Sequence, residues 1–330
     1  MRTLHFPAQV VLVLVAVLSS SLCRAAEELP ALTEIRVTST LDKSQQPSRV
    51  WAPESASNQP TPMLVFLHSW SSDYRQANTD WQREAVERGW IYLHPNFRGV
   101  NQRPEACGSE LARQDILDAI DDVSARYRVD PERIYLAGTS GGGHMAMLMA
   151  GYHPKRFSAV SAWVGISDLA AWHRFHTRDG KPTKYAEMME ACLGGPPGTS
   201  DAIDAQYRSR SPLTVLGRVG DLPLDLNAGV NDGHTGSVPI RHTLAAFNVV
   251  ARAGEHRQIS TREIEQLSND RKLQPPGIDD TLADETYGRE LLLRRRAGQT
   301  RVTIFDGGHE GLASAGCAWL SQQKRRTETA

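Results

Sequence analysis

The chain has 330 residues, 40% of them hydrophobic and 23% charged, with a formal net charge of −1 at neutral pH. These are the values of a folded globular protein long enough to bury a real core, not of a disordered or collagen-like chain. Near-neutral charge argues against nucleic acid or an acidic membrane surface as the main partner, and beyond the N-terminus no apolar run approaches the ~18 residues of a spanning helix.

Arg2 precedes an apolar stretch over residues 10–18, and small residues follow through Ala25-Ala26. A basic start, a short apolar core and small residues at a cut site predict a secretory signal peptide over residues 1–26 and a secreted or periplasmic protein. A lipoprotein signal through Cys23 is disfavoured, because Leu22 stands where a small residue is expected. Cys107, Cys192 and Cys317 then remain. They allow one disulfide and one free thiol, and the sequence does not choose the pair. None has CxxC or CxxH spacing and there is no HExxH, so neither a metal site nor a cofactor is expected.

Residues 27–62 read as a lead-in with one β-prone stretch, Ile35-Arg36-Val37-Thr38. Short apolar runs then recur at 63–67, 90–93, 133–137, 159–164, 222–226 and 301–305, the pattern of strands buried on both faces. Helical patterns lie between them. Over 111–127, Ile116, Ile120, Val123 and Tyr127 fall on one stripe, with Asp118, Asp121 and Asp122 off it. Arg126-Tyr127-Arg128 closes that helix with positive charge, and Asp130-Pro131 stops it. The alternation predicts an α/β domain over residues 63–320, a mostly parallel sheet with helices on both faces, followed by a polar tail over 321–330. Segments 167–212 and 254–298 break the rhythm and read as lid-like insertions over one end of the sheet, a lid or a substrate wall. For the second, surface decoration is an equal reading.

The strongest chemical signal is Gly138-Thr139-Ser140-Gly141-Gly142, between a strand pattern and a helical stretch rich in Met and Ala. That context marks a nucleophile elbow, with Ser140 at a sharp turn and the Gly141 N–H open to a reacting carbonyl. A serine hydroxyl needs a base, and the base an orienting acid, in the chain order Ser, Asp, His. His309, in Gly307-Gly308-His309-Glu310-Gly311 after the last strand, is the candidate base, with a following helix through Leu320 sealing the sheet edge. Asp232, in the loop after the 222–226 run, is the candidate acid, although His234 two residues on is a competing partner for it. A second oxyanion donor is expected at Ser69 or Trp70, after the 63–67 run, where Trp70 also reads as pocket wall or core. His173 and His176 in the first insertion are candidates for substrate contact, while His94 and His144 read as packing residues and His242 as the start of a helix.

Several further segments stand in a telling order: Asn96-Phe97-Arg98-Gly99, Gln114-Asp115, Asp130-Pro131-Glu132-Arg133-Ile134, Arg210-Ser211-Pro212, and Gly229 through Asp232 to Val238-Pro239. With the serine and histidine motifs, this chain resembles the α/β-hydrolases and, within them, the catalytic domain of the prolyl oligopeptidase family, over about residues 63–320. The resemblance implies an α/β-hydrolase fold and a serine-type peptidase acting on small peptides. The chain departs from that family in three respects. The residues ahead of Met63 are too few for a gating β-propeller. The tyrosine that donates to the oxyanion in that family is not visible, since His68-Ser69-Trp70 stands where Tyr-Gly-Gly is expected, and no Glu-Glu pair for a free peptide N-terminus is assignable. The Gly229-to-Pro239 stretch keeps that family's pattern, lengthened by Gly233-His234-Thr235-Gly236-Ser237. An ester of a sugar, polymer or small molecule is therefore the alternative substrate, and a non-catalytic binding protein on the same fold a minor one. The expected partner is a small-molecule, peptide or ester substrate, not a nucleic acid, and no stable membrane span is expected.

Overall fold

The computed structural model describes residues 28–278, 280 and 283–325. The signal peptide expected over 1–26 lies outside them, as do residues 326–330 of the tail. The elements in chain order are β1 (Thr33–Thr38), β2 (Gln45–Trp51), β3 (Thr61–Leu67), α1 (Thr79–Glu87), β4 (Ile91–Pro95), α2 (Glu110–Arg126), β5 (Val129–Thr139), α3 (Gly141–Tyr152) and β6 (Ala159–Trp163). Then come α4 (Leu169–Phe175), β7 (Thr177–Arg178), β8 (Lys181–Pro182), α5 (Lys184–Leu193), α6 (Asp201–Ser209), β9 (Leu224–Gly229), α7 (Arg241–Ala253), α8 (Thr261–Asp270), β10 (Leu291–Ala297), β11 (Thr300–Phe305) and α9 (Ala313–Leu320).

Among the described residues one large sheet runs in the order β1-β2-β4-β3-β5-β6-β9-β11-β10. Its centre, β4-β3-β5-β6-β9-β11, is parallel throughout. Every residue of β4, β6, β9 and β11 is buried, so helices cover both faces, as the continuous apolar runs require. Ile116, Ile120 and Val123 of α2 pack into the core and Tyr127 is half-buried. The helix ends at Arg126, so Asp130-Pro131 is not its stop: both residues open β5, where Asp130 pairs with Arg133 at 2.7 Å.

Beside the six apolar runs the sheet takes up β1, β2 and β10, with β1 and β10 as its outer strands. β2 carries Pro47 and a partly exposed face, and it joins β1 and β4 antiparallel. The lead-in therefore extends the sheet. It also covers Asp118, which the stripe leaves outside the core but which is buried: its carboxylate accepts from Thr40 N at 2.7 Å and Thr40 Oγ1 at 2.9 Å. At the other edge β10 pairs antiparallel with β11, so the end of the 254–298 segment is sheet and not insertion. It is β10 that covers the β11 edge. α9 packs on α1 instead, with Gly316 against the Trp81 ring.

The first insertion, α4 to α6, is not a loose lid. Trp172, Leu169, Met189 and Tyr207 bury themselves with Trp70 and Val238 of the body in a second apolar core. Cys107 and Cys192 meet in that core as free thiols in hydrogen-bond contact, and burial pushes the Cys107 thiol up. Cys317 is buried apart from them beneath α1, near Glu84 and Arg88. Among the described residues no helix is long and apolar enough to cross a membrane.

Four histidine rings are held neutral inside this fold. Burial pushes His68 down to about 3, and His94, His144 and His242 to about 4. An unfolded chain takes up these protons near pH 6.5 and the native chain does not, so native stability is complete above that value. It falls as pH drops from 6.5 toward 4, by up to roughly 1.4 kcal/mol per pH unit for each ring. The urea midpoint is expected to fall steadily between about pH 7 and pH 5, and a flat or rising midpoint contradicts this. His242→Gln, which removes one such ring, should flatten the slope.

Candidate active site

Three strand ends on the parallel part of the sheet build the site. β5 runs into Ser140, which adopts φ 62°, ψ −117°, a conformation that costs a residue with a side chain about 1–3 kcal/mol. The turn is held by Ser140 N donating to the Trp163 carbonyl at 2.8 Å. α3 begins at the next residue. A Cβ on Gly142 would stand 2.2 Å from the Leu67 carbonyl oxygen, so only glycine lets the helix start this close to β3.

Beyond β11, His309 Nε2 lies 2.8 Å from Ser140 Oγ. Its Nδ1 lies 2.7 Å from Asp232 Oδ2, on the loop beyond β9. A carboxylate accepts, so Nδ1 carries the proton and Nε2 is left to accept from the serine hydroxyl. The Asp232 carboxylate is fully buried. Its Oδ1 accepts from Gly233 N at 3.0 Å and Val238 N at 3.1 Å, which compensates its lost hydration. The acid loop is tied to the histidine loop by Asn231 N to the Gly307 carbonyl, 2.9 Å. Glu310 Oε1 in turn accepts from Gly308 N at 3.0 Å and Arg289 Nη1 at 2.7 Å, closing the histidine loop. His309 keeps a quarter of its side chain exposed, so the site is reachable from solvent.

The oxyanion loop needs one correction. Ser69 is not available as a donor, because its N–H already donates to Gln76 Oε1 at 2.7 Å, and Gln76 Nε2 donates back to Ser69 Oγ at 3.1 Å. The Trp70 N–H has no partner among the described residues. It lies against Gly141, where a Cβ would stand 2.2 Å from the Trp70 nitrogen. Gly141 is the first residue of α3, whose leading amides have no acceptor within the helix. Two free N–H groups thus stand side by side next to Ser140, at the positive end of a helix dipole. The Trp70 ring itself is core, edge-on to Trp172 at 4.8 Å and to His144 at 5.6 Å.

The other histidines lie elsewhere. His234 does not compete for Asp232; it bonds to the Ser268 carbonyl at 2.7 Å, away from the triad. His173 pairs with Glu190 inside the insertion at 2.7 Å. His94 bonds to the Phe66 carbonyl at 2.6 Å and His144 to the Arg210 carbonyl at 2.8 Å. His176 does approach the centre, through the Ser237 carbonyl at 2.9 Å. Ser237 itself, 3.4 Å from His309 Nε2, was not legible as a site residue; the one hint was the extra length between Asp232 and Val238. A groove of about 420 Å³ on the first insertion, lined by Asp168, Arg174, Asp204, Tyr207 and Arg208 among others, includes no residue of the triad.

The prolyl oligopeptidase family profile matches residues 77–262, more than half of the chain, and takes in Ser140 and Asp232. Dipeptidyl-peptidase 5 of Porphyromonas gingivalis is 33% identical over 131 residues, 38% of this chain and 18% of that protein. Acetylxylan esterase of Coprinopsis cinerea is 28% identical over 161 residues, 43% of this chain and 41% of that protein. Each alignment thus spans well under two thirds of the relative. Among solved structures, the acylaminoacyl peptidase of Pyrococcus horikoshii superposes with a TM-score of 0.61 at 17% identity, over 91% of this chain and 43% of that one, which shows a shared fold. The chain belongs to the prolyl oligopeptidase family, and so to the serine hydrolases built on the α/β-hydrolase fold.

Proposed function

We propose that this protein is an exported serine hydrolase that cleaves small acyl substrates through an acyl-enzyme on Ser140. The observation that carries the reading is the unbroken chain Ser140 Oγ, His309 Nε2, His309 Nδ1, Asp232 Oδ2, at 2.8 and 2.7 Å. In the first step Ser140 Oγ bonds to the substrate carbonyl carbon and its proton passes to His309 Nε2. Asp232 stabilises the imidazolium that forms. The carbonyl oxygen becomes an oxyanion between the Gly141 and Trp70 amides, a contribution of about 10²–10³ in rate per donor. His309 returns the proton to the leaving nitrogen or oxygen as its bond to carbon breaks. Water then repeats the sequence and frees the acid. Export rests on Arg2, the apolar stretch 10–18 and the small residues before Glu27.

Small peptides are the first substrate reading, from membership of a peptidase family. A carboxylic ester is the second. It is favoured by an oxyanion site built from two backbone amides, with His68-Ser69-Trp70 where that family's tyrosine is expected, and by the similarity to an esterase. A panel of aminoacyl-anilides, aryl esters and acetylated sugars, run on wild type and Ser140→Ala, separates them. Turnover of the anilides supports the peptidase reading, and turnover confined to esters supports the second. Turnover of any of these that survives in Ser140→Ala at the wild-type rate overturns both.

A further inference from the structure

We propose that Ser237 is a second hydroxyl of the catalytic centre, holding against His309 Nε2 first the leaving-group oxygen and then the water that frees the acyl group. The inference rests on the serine-hydrolase reading and deepens it. Ser237 Oγ lies 3.4 Å from His309 Nε2, the atom that also faces Ser140 Oγ at 2.8 Å. Its separation is long for a direct hydrogen bond and short enough for one oxygen to sit within reach of both groups. The hydroxyl has no other protein partner among the described residues.

The rest of the residue is fixed. The Ser237 carbonyl accepts from Trp172 Nε1 at 2.7 Å and from His176 Nε2 at 2.9 Å, both belonging to the first insertion. The next amide, Val238 N, donates to Asp232. One residue earlier, a Cβ on Gly236 would stand 2.2 Å from Asp232 Oδ1, so the loop lies directly on the acid. Trp172 and His176 are thus positioning residues, and the insertion is part of the site because it aims this hydroxyl.

The chemistry gives the hydroxyl a task. Once Ser140 is acylated its proton is gone, and Nε2 faces only the incoming water and Ser237. The water oxygen bonds to the acyl carbon and its proton passes to Nε2. The bond from that carbon to Ser140 Oγ then breaks, and the proton moves from Nε2 to Oγ. A water held by two groups reacts faster than one held by one, and misplacement on the scale of 1 Å costs up to about 10²-fold.

The test is the lifetime of the acetyl-enzyme, followed by intact mass after p-nitrophenyl acetate, in wild type, Ser237→Ala and Ser237→Thr. p-Nitrophenolate leaves without a proton, so acylation by this ester should change less than about twofold in Ser237→Ala, while the acetyl-enzyme should persist about tenfold longer. With ethyl acetate, whose leaving group needs a proton, acylation should also slow about tenfold. Ser237→Thr, which restores the hydroxyl, should recover most of both. A wild-type lifetime in Ser237→Ala overturns the proposal. Equal slowing of both steps with the aryl ester also overturns it, since that indicates displacement of His309. Failure of the serine-hydrolase reading looks different: wild type itself then takes up no acetyl group.

Discussion

Ser140→Ala should lower kcat by roughly 10⁶-fold on whichever ester or anilide the wild type turns over, and Asp232→Asn by about 10⁴-fold. The two losses have different causes. Without the hydroxyl there is no nucleophile, and only the oxyanion amides and substrate binding remain. With Asn at 232 the geometry survives, but the carboxylate that holds the proton on His309 Nδ1 is replaced by an amide, which favours the wrong tautomer. Neither loss should come from unfolding, because Ser140 contributes little to the core and an asparagine at 232 keeps the oxygen that accepts from Gly233 N and Val238 N. Ser140→Gly makes the separation visible. It removes the hydroxyl and also relieves the positive φ of 62°, so it should be as inactive as the alanine variant yet more stable by about 1 kcal/mol. Steady-state assays with urea titrations of the same samples read both quantities. An active Ser140→Gly, or an inactive Asp232→Asn that has also lost several kcal/mol of stability, contradicts the assignment of roles.

The second large effect is on stability. Asp225→Ala should destabilise the fold by about 3–5 kcal/mol. Asp225 on β9 is completely buried, and its carboxylate accepts from Arg301 Nε on β11 at 2.7 Å, from Ser161 Oγ on β6 at 2.9 Å and from Asn227 Nδ2 at 2.8 Å. Trp163 Nε1 donates to Ser161 at 2.9 Å, and Tyr287 Oη donates to Asn227 Oδ1 at 2.6 Å. Removing the carboxylate leaves the Arg301 guanidinium buried without its counter-charge, and that unpaired charge, not the lost attraction, dominates the cost. Replacing both partners with apolar residues, Asp225→Leu with Arg301→Met, should therefore recover much of the loss. An unfolding free energy for Asp225→Ala, from urea titration, within about 1 kcal/mol of wild type contradicts the reading. The network lies under the strands that lead to Asp232 and His309, so the loss should reach activity as well.

What could be read before the fold was known follows a physical rule. Ser140, Asp232 and His309 each come just after a run of apolar residues, and strands buried on both faces are the elements that sequence pattern marks most clearly. The structure brings their side chains together because parallel strands present their C-terminal ends on one rim. Elements exposed on one side are harder to see. β2 carries Pro47, and in β10 three leucines run into Arg294-Arg295-Arg296; β2 becomes a strand between β1 and β4, and β10 by pairing with β11 at the sheet edge. Choosing between Ser69 and Trp70 needed a tertiary contact, since Gln76 reaches back and takes the Ser69 amide. Asp118 falls off the apolar stripe of its helix yet is buried, because its cover, Thr40, comes from a distant turn. Ser237 was invisible for a related reason. Its importance depends on Trp172 and His176, two residues of a segment whose docking no local pattern announces.

A fluorophosphonate probe reports most directly on whether Ser140 is an activated nucleophile, since phosphonylation requires a serine made reactive by its base. Peptide mapping of the labelled protein should find one modification, on Ser140, with labelling absent in Ser140→Ala and strongly slowed in His309→Ala. Labelling on another residue, or a folded wild-type protein that takes up no probe, would show that the hydroxyl at the end of β5 is not activated and that these side chains meet without catalysing hydrolysis.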